Sequence, residues 1–196
     1  MCGRYTVNTE DEIVEMREII QEISVRLSKE DAAAYQNFGK DVFPSAIAPV
    51  ITPRNGIKLL KWGFEKWDGK GVVFNAKSET IATSKFFSPH LLKGRCIIPA
   101  GAYYEWRKEN GKAIEKFRIF SPQKEPIFMA GLMKQTSEQN AEYVIITRPA
   151  AENISFIHNR MPLIFGKQQV IDWLCGNFQP ELLQDNAVQV AFEQVG

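Results

Sequence analysis

The sequence predicts an α+β domain built on a largely antiparallel, β-barrel-like sheet with flanking helices. Three observations carry that expectation. From Ile57 onward short β-prone runs dominate, mostly bounded by Gly, Pro, Ser or Asn. Stretches with helical periodicity are few and well separated. The 196 residues, 44% of them apolar, suffice for one substantial core and contain no repeat, low-complexity tract or linker, so residues 1–196 read as a single domain.

Residues 3–7 (Gly-Arg-Tyr-Thr-Val) read as a short strand. Thr9 and Glu12 have capping-box spacing, and Ile13, Met16, Ile19, Ile20 and Ile23 recur at helical intervals, which predicts an amphipathic helix over 9–23. The polar stretch 26–40 carries no recognisable chemistry. Pro44, Pro49 and Pro53 punctuate an extended segment whose "APVIT" reads as an edge strand. Strands follow in "IKLLKWGF", "GVVFNA", "RCIIPAGAYYEW", "EKFRIF", "PIFMAGLM", "EYVIIT" and "RMPLIF". Helices are expected at 83–92 and at 167–175, the second stopped by Gly176.

The net charge of +1 gives no support for a broad nucleic-acid-wrapping surface; DNA binding would need a local basic groove with few phosphate contacts. The three cysteines are widely spaced, which argues against a disulfide framework and a structural zinc site. Cys96 and Cys175 lie in apolar runs and read as small core residues. No export signal and no membrane span are recognisable, so a reducing cytoplasm is the expected location, at the nucleoid in a bacterium. No GxGxxG, P-loop, HExxH or GxSxG motif occurs, and no metal or other cofactor is expected.

Four stretches set reactive residues among apolar, Gly or Pro neighbours: "MCGRYT", "FNAKSE", "PAGAYYEW" and "IHNRMP". Cys2 is one residue from the start, where a cysteine is most simply incidental. Removal of Met1 would instead leave it with a thiol and an α-amine on adjacent carbons. Such an amine is roughly one-tenth neutral at pH 7, far more than a lysine, and the thiol contributes a few per cent thiolate. The amine can condense with an aldehyde, and the thiol can then close a five-membered thiazolidine. Glu105 shares a strand face with Tyr103; it is either a satisfied buried carboxylate or a proton shuttle of raised pKa. His158, one of two histidines, is the better acid/base candidate because His90 lacks reactive neighbours. Asn75 either closes a turn or orients the Cys2 amine or a substrate hydroxyl. Arg4, Lys77 and Arg160 lie within two residues of these groups and suggest an anionic substrate. Trp62 and Trp67 form a core pair or, for Trp67, a base-stacking surface.

These stretches, in this order, closely resemble the SOS response-associated peptidase (SRAP) family. Its members carry Met-Cys-Gly-Arg, Asn-Ala-Arg-Ser-Glu, Gly-x-Tyr-Glu-Trp and His-x-Arg-Met-Pro segments, matched here at Cys2–Arg4, Asn75–Glu79, Gly101–Trp106 and His158–Pro162. The resemblance implies a single-domain SRAP fold that senses abasic sites in single-stranded DNA and crosslinks to them through Cys2. Met1 would be removed autocatalytically, hence the peptidase name. Asn75 would position Cys2, Glu105 would transfer protons during sugar ring opening, and His158 would stabilise the opened sugar's hydroxyl. Arg4, Lys77 and Arg160 would contact phosphates, with Trp67 supporting the DNA path. A monomer is the expected state. Two departures stand out: Lys77 replaces the family's Arg, exchanging a bidentate fork for a point charge, and Met133 follows "AGL" where Trp is usual. Competing readings are a cysteine peptidase using Cys2, His158 and Glu105, and a noncovalent single-stranded-DNA module. Strand cleavage by β-elimination from the imine, a lyase outcome, is compatible with the first reading.

Overall fold

The computed structural model describes residues 2–7, 41–53, 56–123, 125–137, 140–175, 179–184 and 188–196. In chain order its strands are β1 (Tyr5–Thr6), β2 (Asp41–Val42), β3 (Ile47–Thr52), β4 (Gly56–Trp62), β5 (Phe64–Glu65), β6 (Val72–Val73), β7 (Asn75–Lys77), β8 (Arg95–Ala100), β9 (Ala102–Glu109), β10 (Lys112–Phe120), β11 (Ile127–Gln135), β12 (Ala141–Pro149), β13 (Arg160–Pro162), β14 (Ile164–Phe165) and β15 (Ala191–Val195). Helices α1 (Ser88–Leu91) and α2 (Lys167–Cys175) accompany them.

Strands β12, β4, β3, β8 and β11 pair in that order, and β11 pairs back onto β12, closing a five-stranded barrel. Closure removes the exposed edges that an open sheet would present. A second sheet runs β15-β10-β9-β1-β2. All pairings are antiparallel except those of β12 with β4 and β7, which fits the α+β, barrel-like expectation.

The near-continuous apolar runs "RCIIPA" and "EYVIIT" follow from a sheet buried on both faces. Cys96 and Ile98 of β8, Met129 of β11, and Tyr143 and Ile145 of β12 enter one core with Tyr5, Tyr103 and Phe117 of the second sheet. Their alternates Ile97, Ala130, Val144 and Ile146 enter another core, capped by Leu91 of α1 and Trp173 of α2. Period-two alternation therefore sorts residues between two cores rather than between core and water. Arg95, itself buried, donates from Nε to Trp173 O (2.6 Å) and from Nη1 to Leu91 O (2.9 Å). One side chain thus satisfies carbonyls in the final turns of both helices, groups that would otherwise lack partners.

Three expectations are corrected. The "APVIT" strand is not an edge: β3 lies between β4 and β8. It meets β8 only at Ile51↔Ile97, so Pro49, with no N–H to donate, interrupts no ladder bond there. The helix expected at 83–92 shrinks to Ser88–Leu91, with Pro89 in its first turn and only isolated turn bonds, such as Ser88 N–H to Ser84 O at 2.8 Å, before it. Cys175 is exposed at the end of α2, whereas Cys96 is buried as expected. The expected helix at 9–23 lies outside the described residues.

Gly131 marks a close approach of strands within the barrel. A Cβ there would stand 2.4 Å from Ile98 Cδ1 and 2.7 Å from Val144 O. Gly131→Ala is therefore expected to destabilise the domain by about 1–3 kcal/mol in urea unfolding. An unchanged midpoint would contradict this packing.

Candidate active site

Strand β1 joins the second sheet between β2 and β9, with Tyr5 opposite both Val42 and Tyr103. This insertion carries residue 2 into the core: Cys2 is 0% exposed and belongs to the same buried cluster as Tyr5, Trp62, Tyr103 and Tyr143. Below it the Tyr5 and Tyr143 hydroxyls share a hydrogen bond, and the Trp62 indole donates to Phe74 O at 2.9 Å. Trp62 stacks on Tyr143 and meets Tyr5 edge-on. The two sheets are locked together directly beneath the cysteine.

Asn75 opens β7, which β12 holds in parallel register through Ile145↔Asn75. Its Nδ2 donates to Cys2 O at 2.9 Å. Its Oδ1 is buried with no hydrogen-bond partner among the described residues, leaving an acceptor beside the backbone of Cys2. A buried, unmatched acceptor is costly, and such groups cluster at functional sites. Burial pushes the Cys2 thiol far above its ordinary value, and the neighbouring Glu105 carboxylate adds to the shift. At neutral pH the sulfur is a thiol, and it needs a base to react.

Glu105 lies mid-way along β9, opposite Phe117 of β10, and is 4% exposed. Burial raises its carboxyl above the usual range, which favours the protonated form that can donate. Glu105 and His158 line one pocket of about 300 Å³ together with Trp106, Lys108 and Ala113. The backbone N–H of Arg160 donates to His158 Nδ1 at 2.9 Å, so the neutral ring carries its proton on Nε2. Burial lowers the imidazole's proton affinity, favouring that neutral donor form at pH 7.

The residues singled out from the sequence therefore divide. Cys2, Asn75 and Glu105 converge, and the pocket joins His158 to Glu105. Arg4 and Arg160 are engaged within the protein. Arg4 pairs with Asp41 and lies over the rings of Tyr104 (4.8 Å) and Phe43 (5.3 Å). Arg160 forms a two-pronged pair with Glu79, donates to Thr147 O at 2.6 Å, and holds the Glu79 carboxyl down at about 2. Lys77 is exposed and makes no ion pair with a described residue. Trp67 is 100% exposed at the tip of the β5–β6 hairpin, whereas Trp62 is fully buried, so the two tryptophans do not form a core pair. Buried Glu142 anchors that hairpin by accepting from Glu65 N–H and pairing with Lys134.

Sequence reasoning missed Lys108 and Trp106 as pocket residues. Strand alternation would place them on the face opposite Glu105. Both line the pocket nonetheless, beside a bulge in the partner strand: Lys108 pairs with Ala113 and Arg107 with Glu115, leaving Ile114 of β10 as the extra residue. No signal in a single sequence marks that register shift.

Fold and site together define a closed-barrel domain with a buried near-terminal cysteine framed by an amide, a carboxyl and an imidazole. Residues 1–194 match the SOS response associated peptidase (SRAP) family, and the chain belongs to it. It is 33% identical over 200 residues to the abasic site processing protein YoqW of Bacillus subtilis, covering 94% of this chain and 85% of that one. To the abasic site processing protein YedK of Escherichia coli it is 29% identical over 183 residues, covering 89% and 79%. It is 30% identical over 175 residues to the abasic site processing protein HMCES of Gallus gallus, covering 67% and 52%. A crystal structure of a protein from Bacteroides thetaiotaomicron shares the fold with a TM-score of 0.76 at 20% identity, covering 100% of this chain and 92% of that one.

The raised Glu105 carboxyl has a measurable sign. The native state holds this proton more tightly than the unfolded chain, so its contribution to stability is full below about pH 4.3 and is lost as pH rises through the native value. Glu105→Gln, which cannot ionise, is expected to raise the thermal midpoint relative to wild type at pH 7, with the difference shrinking toward pH 4. A constant difference across that range would contradict the assignment.

Proposed function

We propose that this protein recognises abasic sites in single-stranded DNA and links to them covalently through Cys2 once Met1 is removed. The observation that carries the reading is the convergence on Cys2: Asn75 grips its carbonyl and offers a buried, unmatched acceptor, while Glu105 lies close enough to influence the thiol. Removal of Met1 would create an α-amine beside that acceptor. The names of the relatives point to the same substrate.

The buried thiol dictates the order of steps. The neutral amine, about a tenth of the population at pH 7, needs no prior ionisation of sulfur. It adds to the aldehyde carbon of the ring-opened deoxyribose and gives a carbinolamine. Glu105, in its acid form, protonates the departing hydroxyl, which leaves as water, and an imine remains. The imine forms protonated, keeping the amine's hydrogen. The Glu105 carboxylate accepts the thiol proton as sulfur attacks the imine carbon, which leaves a neutral ring nitrogen and Glu105 again in its acid form. The sum is aldehyde plus aminothiol giving thiazolidine plus one water. His158 Nε2–H donates to the hydroxyl freed by ring opening. Exposed Lys77 and Trp67 supply phosphate and base contacts. Arg4 and Arg160 would exchange carboxylates for phosphates or orient the frame through their existing pairs.

A peptidase acting on other proteins fits less well. A thiol kept protonated and shielded from solvent is a poor nucleophile for an external peptide bond. Self-removal of Met1 would use the same residues within the chain. β-Elimination would compete wherever sulfur fails to trap the imine.

Purified protein incubated with an abasic single strand is expected to yield an adduct that survives heat and denaturant. Cys2→Ala should abolish it, and Cys2→Ser should leave only a labile imine that borohydride can fix. A full-strength heat-stable adduct in Cys2→Ala would defeat the proposal.

A further inference from the structure

We infer that Lys108 and the exposed aromatic surface at Phe156 form a second contact zone for single-stranded DNA, in which the cation takes a backbone phosphate and the ring stacks a neighbouring base. This inference rests on the proposed function for its choice of occupant. An abasic sugar bound in mid-strand is continued by a phosphate on each side, so two limbs of the strand must leave the pocket over its rim. The residues singled out from the sequence supply contacts for a strand path but include none from the β9–β10 bulge.

Lys108 lines the pocket with Glu105 and His158 and exerts its charge on both. The neighbouring guanidiniums are engaged: Arg107 with Glu109 and Glu115, Arg160 with Glu79, and Arg4 with Asp41. Lys108 is exposed and makes no ion pair with a described residue, so its charge is available to an incoming anion. It stands at the pocket beside the bulge that Ile114 makes in β10.

Two links connect the aromatic part to residues that line the pocket. Phe117 stands directly across the sheet from Glu105, and Phe156 precedes His158 by two residues. Phe156, 52% exposed, and Phe192, 39% exposed, pack edge-on at 5.3 Å and both lean on buried Phe117, at 5.7 and 6.0 Å. Edge-on packing fixes the rings while leaving surface for a base to cover. Aromatic rings beside an available cation are the combination that binds single strands without sequence preference. A second copy of the chain would also cover apolar surface, but it would leave Lys108 facing no stated anion.

The test is noncovalent binding of an undamaged fluorescent oligonucleotide, read by anisotropy at several salt concentrations, so that it does not depend on crosslinking. Phe156→Ala is expected to weaken binding about fivefold or more with the salt slope retained, and Phe156→Trp to restore it. Lys108→Ala should weaken binding and flatten the slope by about 0.7, the value of one phosphate contact on a single strand. Unchanged affinity in both variants overturns the inference. So does a change in sedimentation of Phe156→Ala with DNA binding intact, which would make the patch a self-association surface. If wild type binds the oligonucleotide through these residues but forms no adduct with abasic DNA, the inference stands and the crosslinking function falls.

Discussion

The hydrogen bond from Asn75 to the carbonyl of Cys2 is the constraint on which the site depends. Asn75 is itself fixed by the parallel pairing of β7 with β12, a strand of the closed barrel. On the other side β1 is woven between β2 and β9. The beginning of the chain, ordinarily the least ordered part of a domain, is thereby pinned from both sheets. Reactive atoms on a terminal residue are useful only if their position is defined, and here the barrel defines it.

Pinning Cys2 in the core has an electrostatic consequence. Burial suppresses the thiolate, and it likewise keeps the Glu105 carboxyl inclined to hold a proton. The two effects are complementary. A thiol that stays protonated is protected from adventitious oxidation, and a neighbouring carboxyl of raised proton affinity is suited to exchange a proton with it. His158, held neutral with its proton on Nε2, donates without adding positive charge to the site. The surrounding cations follow the same logic of placement. Arg4 and Arg160 are tied to carboxylates, whereas Lys77 and Lys108 are exposed and make no ion pair with a described residue.

Much of this was legible in the sequence because it is written in local pattern. Short β-prone runs divided by Gly and Pro predicted the strands, and "KQQVIDWLC" forms the expected helix. The runs "RCIIPA" and "EYVIIT" read as strands, although only the structure shows that their alternate residues serve two cores. The four reactive stretches come from distant parts of the chain, yet Cys2, Asn75 and Glu105 lie together in the structure. What the sequence concealed are relations between strands or between distant charges. Lys108 lines the pocket beside a bulge of β10, where strand alternation alone would set it on the face opposite Glu105. Arg4 and Arg160 find Asp41 and Glu79, 37 and 81 residues away. Cys175 looked like a core residue from its apolar neighbours, but the end of a surface helix leaves it exposed.

The central claim is that one aldehyde carbon is held by both nitrogen and sulfur of Cys2. Tandem mass spectrometry of the protein after reaction with an abasic oligonucleotide tests it most directly. After alkylation of free thiols with iodoacetamide, the account predicts a linked N-terminal peptide that begins at Cys2, lacks Met1, and weighs the sum of peptide and nucleic-acid remnant less one water. That peptide carries no alkyl group on Cys2, whereas an imine of the same mass would be alkylated there. A link mapped to Lys77 or Lys108, or a linked peptide that still begins with Met1, would contradict it.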